Sequence, residues 1–534
     1  MFIDERTRES LLWDKLMTNL NPYSPIGEKL KQMLKPFHVV DKEKWMQVLD
    51  EQECMAQELQ RRRERLSSLK NILIHIPELE QILNKLTKQQ RLSLTDLFQL
   101  KQFLYHIADW IHWMEQTEFT ETFYLSQTER KLCRSLLKEL NPTLPLRASF
   151  HLEDGFDPTL KKLRDRLKES EKMLNDLRHQ RVVYIEKTYL VKRNRLGEWV
   201  VKKGSQVEQQ LEQEPTCRKI RETIYDALYE LDDRQLDNER WTACQDLTKQ
   251  IQECEAEVCH ALSKQFALYV KPLQKWQNQI AHFDLQWAKV RLAHSYQGVK
   301  PVYDPTCFVI KQGVHPVMTQ NHAFTPIDIT IVKGMTVIVG PNMGGKTVAL
   351  RTIGLMALLA QMGFFVPAKT CKVPLFQWIT SLIGDYQEVD VGLSSFGGEM
   401  VRLSDGLKRK EEGLLLLDEI GRGTNPVEGS ALAVSISHYL ATHTAWAVHV
   451  THYSAVIKLE NIRKYQVVGL RRFDRATHES FGDIIKRHMD YRILPLQAGD
   501  QIPHQAIMVA EQLGLPTPIT AMARRLMCKQ REEE

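Results

Sequence analysis

The chain has 534 residues, of which 43% are hydrophobic and 26% charged, and its net charge is +5. This is enough chain for roughly two to four domains with ample core. The composition is that of an ordinary soluble globular protein, and the charge is too mild to argue for or against nucleic acid. It contains no apolar run of about twenty residues, and Met1-Phe2-Ile3-Asp4-Glu5-Arg6 is charged at once, which excludes a membrane-spanning helix and a signal-like start. The nine cysteines lack ligand-like pairing, with Cys254 and Cys259 far from further ligands, so a reducing cytoplasm is expected and zinc is not.

Residues 1–292 read as helical. The stretches 51–73, 160–181 and 238–270 are rich in Glu, Lys, Arg, Gln and Leu and poor in Gly and Pro. In the second, Leu160, Leu163, Leu167, Met173/Leu174 and Leu177 recur at three- or four-residue steps and make one apolar stripe. Long charged helices of this kind suit levers or coiled coils. Residues 182–191 and 198–203 interrupt them as two expected strands joined around 194–197. Between 187 and 203, six basic residues (Lys187, Lys192, Arg193, Arg195, Lys202, Lys203) face one acid, Glu198, and Tyr184, Tyr189 and Trp199 interleave nearby. Two readings stay open: a hairpin that grips a phosphate backbone, or a solvated hairpin whose aromatics pack on the helices.

From about 293 the texture changes. Apolar runs at 335–339, 378–383, 414–417 and 446–450 alternate with helical stretches and glycine turns, an α/β pattern with a parallel sheet. The first run leads into Gly340-Pro341-Asn342-Met343-Gly344-Gly345-Lys346-Thr347, followed by the helical Val348-Ala349-Leu350-Arg351. This is the P-loop spacing G-x-x-x-x-G-K-[ST], between a strand and a helix. Its glycines let backbone N–H groups wrap a polyphosphate, the helix N-terminus adds partial positive charge, Lys346 reaches the β- and γ-phosphates, and Thr347 suits Mg²⁺.

The run 414–417 ends in Asp418-Glu419, as in a buried strand whose carboxyl end faces a ligand. There Asp418 steadies Mg²⁺ through its water shell, and Glu419 acts as general base or orients the attacking water. The run 446–450 ends in Thr451-His452, where a histidine can sense a γ-phosphate. Between P-loop and acids, Ser394 and Ser395 open a helical stretch, a position that suits phosphate contact as well as ordinary capping.

Taken together, Gly340–Thr347, Asp418-Glu-Ile-Gly-Arg-Gly-Thr424 and Thr451-His-Tyr453 resemble the ATPase domain of the MutS family. The resemblance extends to Gly313-Val-His-Pro-Val317 and to Leu513-Gly-Leu-Pro516. It implies an α + α/β fold: a helical core at 1–155, then lever helices at 156–292 with a reduced clamp-like hairpin near 182–204. An ABC-type P-loop ATPase domain with a mainly parallel sheet and a helical tail would occupy 293–534. It also implies ATP and Mg²⁺ as ligands, and a dimer, expected to be of identical chains, that sandwiches two nucleotides. Ser394 would reach the partner's γ-phosphate, Asn342 would lie near that phosphate, His452 would be the switch histidine, and His322 or Phe324 would stack on adenine.

Leu11-Leu-Trp-Asp-Lys-Leu16, Glu153-Asp-Gly155, Pro158-Thr-Leu-Lys-Lys-Leu163, Asp284-Leu-Gln-Trp-Ala-Lys289 and Ile383-Gly-Asp385 resemble the branch without a mismatch-reading domain. Neither that domain nor the branch's usual C-terminal Smr nuclease domain is expected here. The expected function is ATP-driven clamping of DNA, in the repair and recombination setting of mismatch repair. The alternative is remodelling of a protein client such as a cobalamin-dependent lysine aminomutase, with ribosome binding a more distant third.

Overall fold

The computed structural model describes residues 2–61, 66–117, 123–142, 152, 154–319, 324–341, 345–384, 395–443, 445–470, 489–497, 507, 510–511 and 515–533. They form two compact units, each assembled from separated segments: Ile72–Trp113 with Leu125–Gln279, and Met1–Asn71 with Met114–Tyr124 and Ile280–Glu534.

The first of these units is mainly helical. Its long helix α1 (Pro158–Thr188) starts where the Asp157 carboxylate accepts the Thr159 N–H and Pro158 fills the first turn, where no amide donor is required. Leu160 is fully buried, and Leu163, Leu167, Leu174 and Leu177 form the half-buried side of the helix, while Met173 is exposed. A small antiparallel sheet follows: β1 (Trp199–Lys202), β2 (Cys217–Glu222) and β3 (Asp226–Leu231), in the order β1-β3-β2. Helix α2 (Asn238–Ala267) then packs back along α1.

The hairpin expected over 182–204 does not form. Residues 182–188 are the end of α1, and the chain turns away just beyond it at Leu190, with φ +54°. Val182 and Ile185 are both buried, three residues apart; that is helical rather than strand spacing. β1 pairs instead with β3. Of the interleaved aromatics, Trp199 is buried with Val182, Ile185, Leu211 and Tyr229 in the core of this module. Tyr189 donates its hydroxyl to Glu214 at 3.1 Å, and the exposed Tyr184 lies under the Arg181 guanidinium. The aromatics therefore serve packing.

The second unit holds two sheets. One has four strands in the order β4-β8-β5-β6: β4 (Val302–Tyr303), β5 (Cys307–Gly313), β6 (Ile327–Val332) and β8 (Thr370–Val373). The other has six, β7 (Gly334–Val339), β9 (Ile379–Leu382), β10 (Leu414–Asp418), β11 (Trp446–Thr451), β12 (Arg463–Leu470) and β13 (Met489–Pro495), in the order β13-β12-β7-β11-β10-β9. All neighbours in the larger sheet are parallel except β12 and β13. The runs expected at 335–339, 378–383, 414–417 and 446–450 are β7, β9, β10 and β11, buried on both faces as parallel strands require.

On one face lies α3 (Lys346–Gln361), which is apolar almost all round and buried accordingly. The other face carries α4 (Ser395–Leu407) and α5 (Pro426–Ala441), whose Leu403, Ala433 and Leu440 meet Val337, Leu415 and Leu417. The edge strand β9 is not left open. Phe2 O accepts the Ile379 N–H at 2.8 Å and Thr7 Oγ1 accepts the Ser381 N–H at 3.0 Å, so the first residues of the chain cap the last strand of the sheet. Among the described residues, no helix is long and apolar enough to cross a membrane.

Candidate functional site

Three adjacent parallel strands, β7, β11 and β10, deliver their carboxyl ends to one place. β7 runs into Gly340, and the chain re-enters the described residues at Gly345, whose φ of +78° turns it into α3. A Cβ at Gly345 would sit 2.9 Å from the Tyr491 ring of β13, so both the turn and the close approach require glycine. Lys346 then folds back, buried, and donates to Gly340 O at 2.8 Å and Pro341 O at 3.2 Å, with Glu419 Oε1 3.3 Å away. Burial pushes this ammonium down from the usual lysine range against the pull of Glu419. Val348 follows, half-buried, in the first turn of α3.

Next to it, Thr347 Oγ1 donates to Asp418 Oδ2 at 2.8 Å. Asp418 Oδ1 is buried without a partner among the described residues, and burial raises this carboxyl above its usual range. A hydroxyl and an unsatisfied carboxylate oxygen side by side fit a hard, oxygen-seeking cation such as Mg²⁺.

Glu419 is held in a conformation that non-glycine residues seldom adopt, with φ +50°. Its N–H donates to Val450 O of β11 at 2.8 Å. The carboxylate faces His452 Nδ1 at 3.7 Å, Lys346 Nζ at 3.3 Å and Arg422 Nη1 at 3.3 Å. His452 is the largest influence, ahead of Lys346, and together they hold the carboxyl at about 2 in spite of burial. At 3.7 Å this contact is longer than a full hydrogen bond. Strained geometry held by surrounding bonds is common where a side chain must be aimed.

The loop after Glu419 is locked against α5. Gly421 has φ +85°, and a Cβ on Gly429 would fall inside contact distance of Gly421 O and the Tyr453 hydroxyl. Tyr453 also donates to Gly421 O at 3.4 Å and packs its ring against His452, centroids 4.2 Å apart.

The structure thus brings Lys346, Thr347, Asp418, Glu419 and His452 together. Asn342, Met343, Gly344, Ser394 and His322 lie outside the described residues. Phe324 is half-buried three residues ahead of β6. Three neighbours of the site carried no readable signal in the sequence. Tyr491 covers Gly345; buried His449 has its Nδ1 2.9 Å from Ser437 Oγ and is pushed down to about 4 by desolvation; Glu399 of α4 is pushed up to about 7 by burial. A tyrosine in an edge strand and a histidine within an apolar run look like any others until the strands are assembled.

The basic residues read as a phosphate grip are spread out. Lys187 ends α1, Lys192 and Arg195 lie exposed in the connection, and Lys202 closes β1. Arg193 pairs with Glu186 at 3.4 Å, and Lys203 pairs with Glu222. Over 181–237 as a whole, eleven Lys and Arg are matched by eleven Asp and Glu.

Fold and site together define an α/β protein with a glycine-rich strand–loop–helix and paired acids at the carboxyl ends of a parallel sheet, the arrangement in which such sheets bind ligands. Residues 336–530 match MutS domain V. The chain is 39% identical over 210 residues to an endonuclease MutS2 of Geobacillus thermodenitrificans, covering 38% of this chain and 26% of that protein. It is 32% identical over 278 residues to the DNA mismatch repair protein MutS of Thermus aquaticus, covering 52% and 33%. A third relative, an endonuclease MutS2 of Aquifex aeolicus, is 30% identical over 283 residues, covering 52% and 35%. Over this domain the chain is similar to proteins of the MutS family. The matches span between about a quarter and a third of the length of these relatives.

Proposed function

We propose that this chain is an ATP hydrolase of ABC type that works as a dimer and couples ATP binding and hydrolysis to closure on DNA. The observation that carries the reading is the convergence of Lys346, Glu419, His452 and the Thr347–Asp418 pair at the ends of β7, β11 and β10. Lys346 exchanges its bonds to Gly340 O and Pro341 O for β- and γ-phosphate oxygens. Glu419, ionised throughout the physiological range, accepts a proton from the attacking water and aims it. Mg²⁺ accompanying ATP would be held by Thr347 and Asp418 and would supply charge neutralisation at the phosphates. His452 stands where it can report loss of the γ-phosphate to Glu419. Ser394 from a second copy would complete each site, so that nucleotide occupancy biases the dimer. The helices of the first unit would act as levers, and DNA contact would fall to the exposed Lys187, Lys192, Arg195 and Lys202.

The test is steady-state ATP turnover at two salt concentrations, with and without duplex and branched DNA, in wild type and Glu419→Gln. The expected result is salt-sensitive stimulation by DNA, and loss of turnover by at least about 100-fold in the variant with nucleotide still bound. Equal turnover in the two proteins would sink the role given to Glu419. A rate indifferent to every DNA, with no binding at low salt, would remove DNA as the partner.

A further inference from the structure

The carbonyl end of a helix needs donors from elsewhere. At the end of α3 remote from the P-loop, the Met362, Phe364 and Gly363 N–H groups serve Leu358, Leu359 and Ala360 O, and further donors come from side chains and backbone far away in the sequence. Ala360 O accepts from Trp45 Nε1 at 2.7 Å and Gln361 O from the Phe37 N–H at 2.8 Å. Met362 O accepts from Lys289 Nζ at 2.8 Å. Gly363 O accepts from Lys289 at 3.2 Å and from Gln52 Nε2 at 2.7 Å, and Gln52 in turn donates to Gln286 at 2.8 Å. Lys289, only 2% exposed, also stands 4.4 Å above the Phe364 ring.

Lys289, Gln286 and Asp284 are the polar members of the segment Asp284-Leu-Gln-Trp-Ala-Lys289, which the nucleotide site does not use. All three are buried and all hold another part of the chain, Asp284 by accepting the Tyr23 and Ser24 N–H groups at 3.0 and 2.7 Å. Among the described residues no carboxylate pairs with Lys289, and burial pushes its ammonium down to about 7. Burying an ammonium without a counter-charge is expensive, and the two carbonyls it meets, Met362 O and Gly363 O, offset part of that cost. Lys289 thereby grips the negative end of the dipole of the helix whose other end, roughly 24 Å away, leads back to the glycine-rich loop.

We propose that Lys289 is a positioning and coupling residue of the nucleotide site: it clamps the carbonyl end of α3 to residues 280–295, and with Gln52 to residues 42–61, so that a nucleotide-driven displacement of α3 is passed to those segments. The proposal rests on the nucleotide reading given above. Without the clamp the carbonyl end of α3 would lose its tie to residues 280–295, and the displacement would stop there.

The experiment is amide hydrogen exchange of the full chain with and without ATP, in wild type, Lys289→Met and Gln52→Leu, together with kcat and KM. In wild type, nucleotide protection is expected in peptides covering 335–361 and also in those covering 42–61 and 280–295. In Lys289→Met, protection stays at 335–361, KM changes less than about twofold and kcat falls roughly tenfold. Should Lys289→Met fail to fold, Gln52→Leu carries the same test. The same spread of protection in wild type and variant, or no spread in wild type, overturns the coupling role and leaves the nucleotide site standing. Absence of any protection at 335–361 in wild type overturns the nucleotide reading, and the coupling role with it. A variant with a lowered Tm but unchanged kcat well below that temperature would make Lys289 a purely structural residue.

Discussion

Around β10 and α3, Lys346, Arg422 and His452 crowd one carboxylate, Glu419, whose side chain is only 13% exposed and whose backbone has φ +50°. In the β1–β3 module a pair such as Arg218–Glu230 is 64% and 35% exposed, although Glu214 and Glu208 are buried against Arg181 and Lys219, and the acids and bases balance over 181–237. The difference is one of dielectric and strain. Buried charges interact strongly and hold a geometry that has to be maintained, whereas exposed pairs are screened and interchangeable. Chemistry is to be sought in the first kind of place, and scaffold or a weak electrostatic surface in the second.

Three measurements would break or sharpen this contrast, in decreasing order of effect. Gly429→Ala forces a Cβ against Gly421 O and the Tyr453 hydroxyl, so the Glu419 loop or α5 must shift. A loss of about 2–3 kcal/mol of stability is expected, with a matching loss of turnover. A fully stable, fully active variant would show that the loop is not held by this close approach.

Glu419 itself should register in acid unfolding. Its carboxyl is held at about 2, below the unfolded value near 4.5, so the native state binds fewer protons in that window. The stabilisation is present above about 4.5 and is lost as pH falls towards 2, on the order of 2 kcal/mol. Glu419→Gln should flatten the pH dependence of chemical denaturation between those limits. An unchanged slope would mean that Lys346, Arg422 and His452 do not act on this carboxylate.

The smallest effect is expected at the exposed pair. Arg218→Ala, Glu230→Ala and the double variant should give a coupling energy below about 0.5 kcal/mol, and less in added salt. A coupling above about 1 kcal/mol would place the module in the same class as the cluster around Glu419.

Much of the α/β half was legible because its signals are local. Four consecutive leucines ending in Asp418-Glu419, set among other short apolar runs and glycine turns, read as a strand buried on both faces, and Gly345-Lys346-Thr347 marks the start of a helix. The 182–191 segment misled for the opposite reason. Val182, Val183, Tyr184 and Ile185 suit a strand and a helix face alike, and only packing against Trp199 and Leu211 decides between them. Glu399 and Tyr491 stayed unreadable because their importance lies in what they approach, not in their neighbours along the chain.

Hydrophobic period, glycine spacing and strand ends were enough to fix the parallel strands, the start of α3 after Gly345 and the place of the acids at the end of β10. It took the assembled fold to show that residues 2–10 cap the edge of β9, that Lys346 and His452 converge on a Glu419 in a left-handed conformation, and that Lys289 closes the far end of α3. Each of these joins residues tens to hundreds of positions apart, where burial, not local preference, selects the partner.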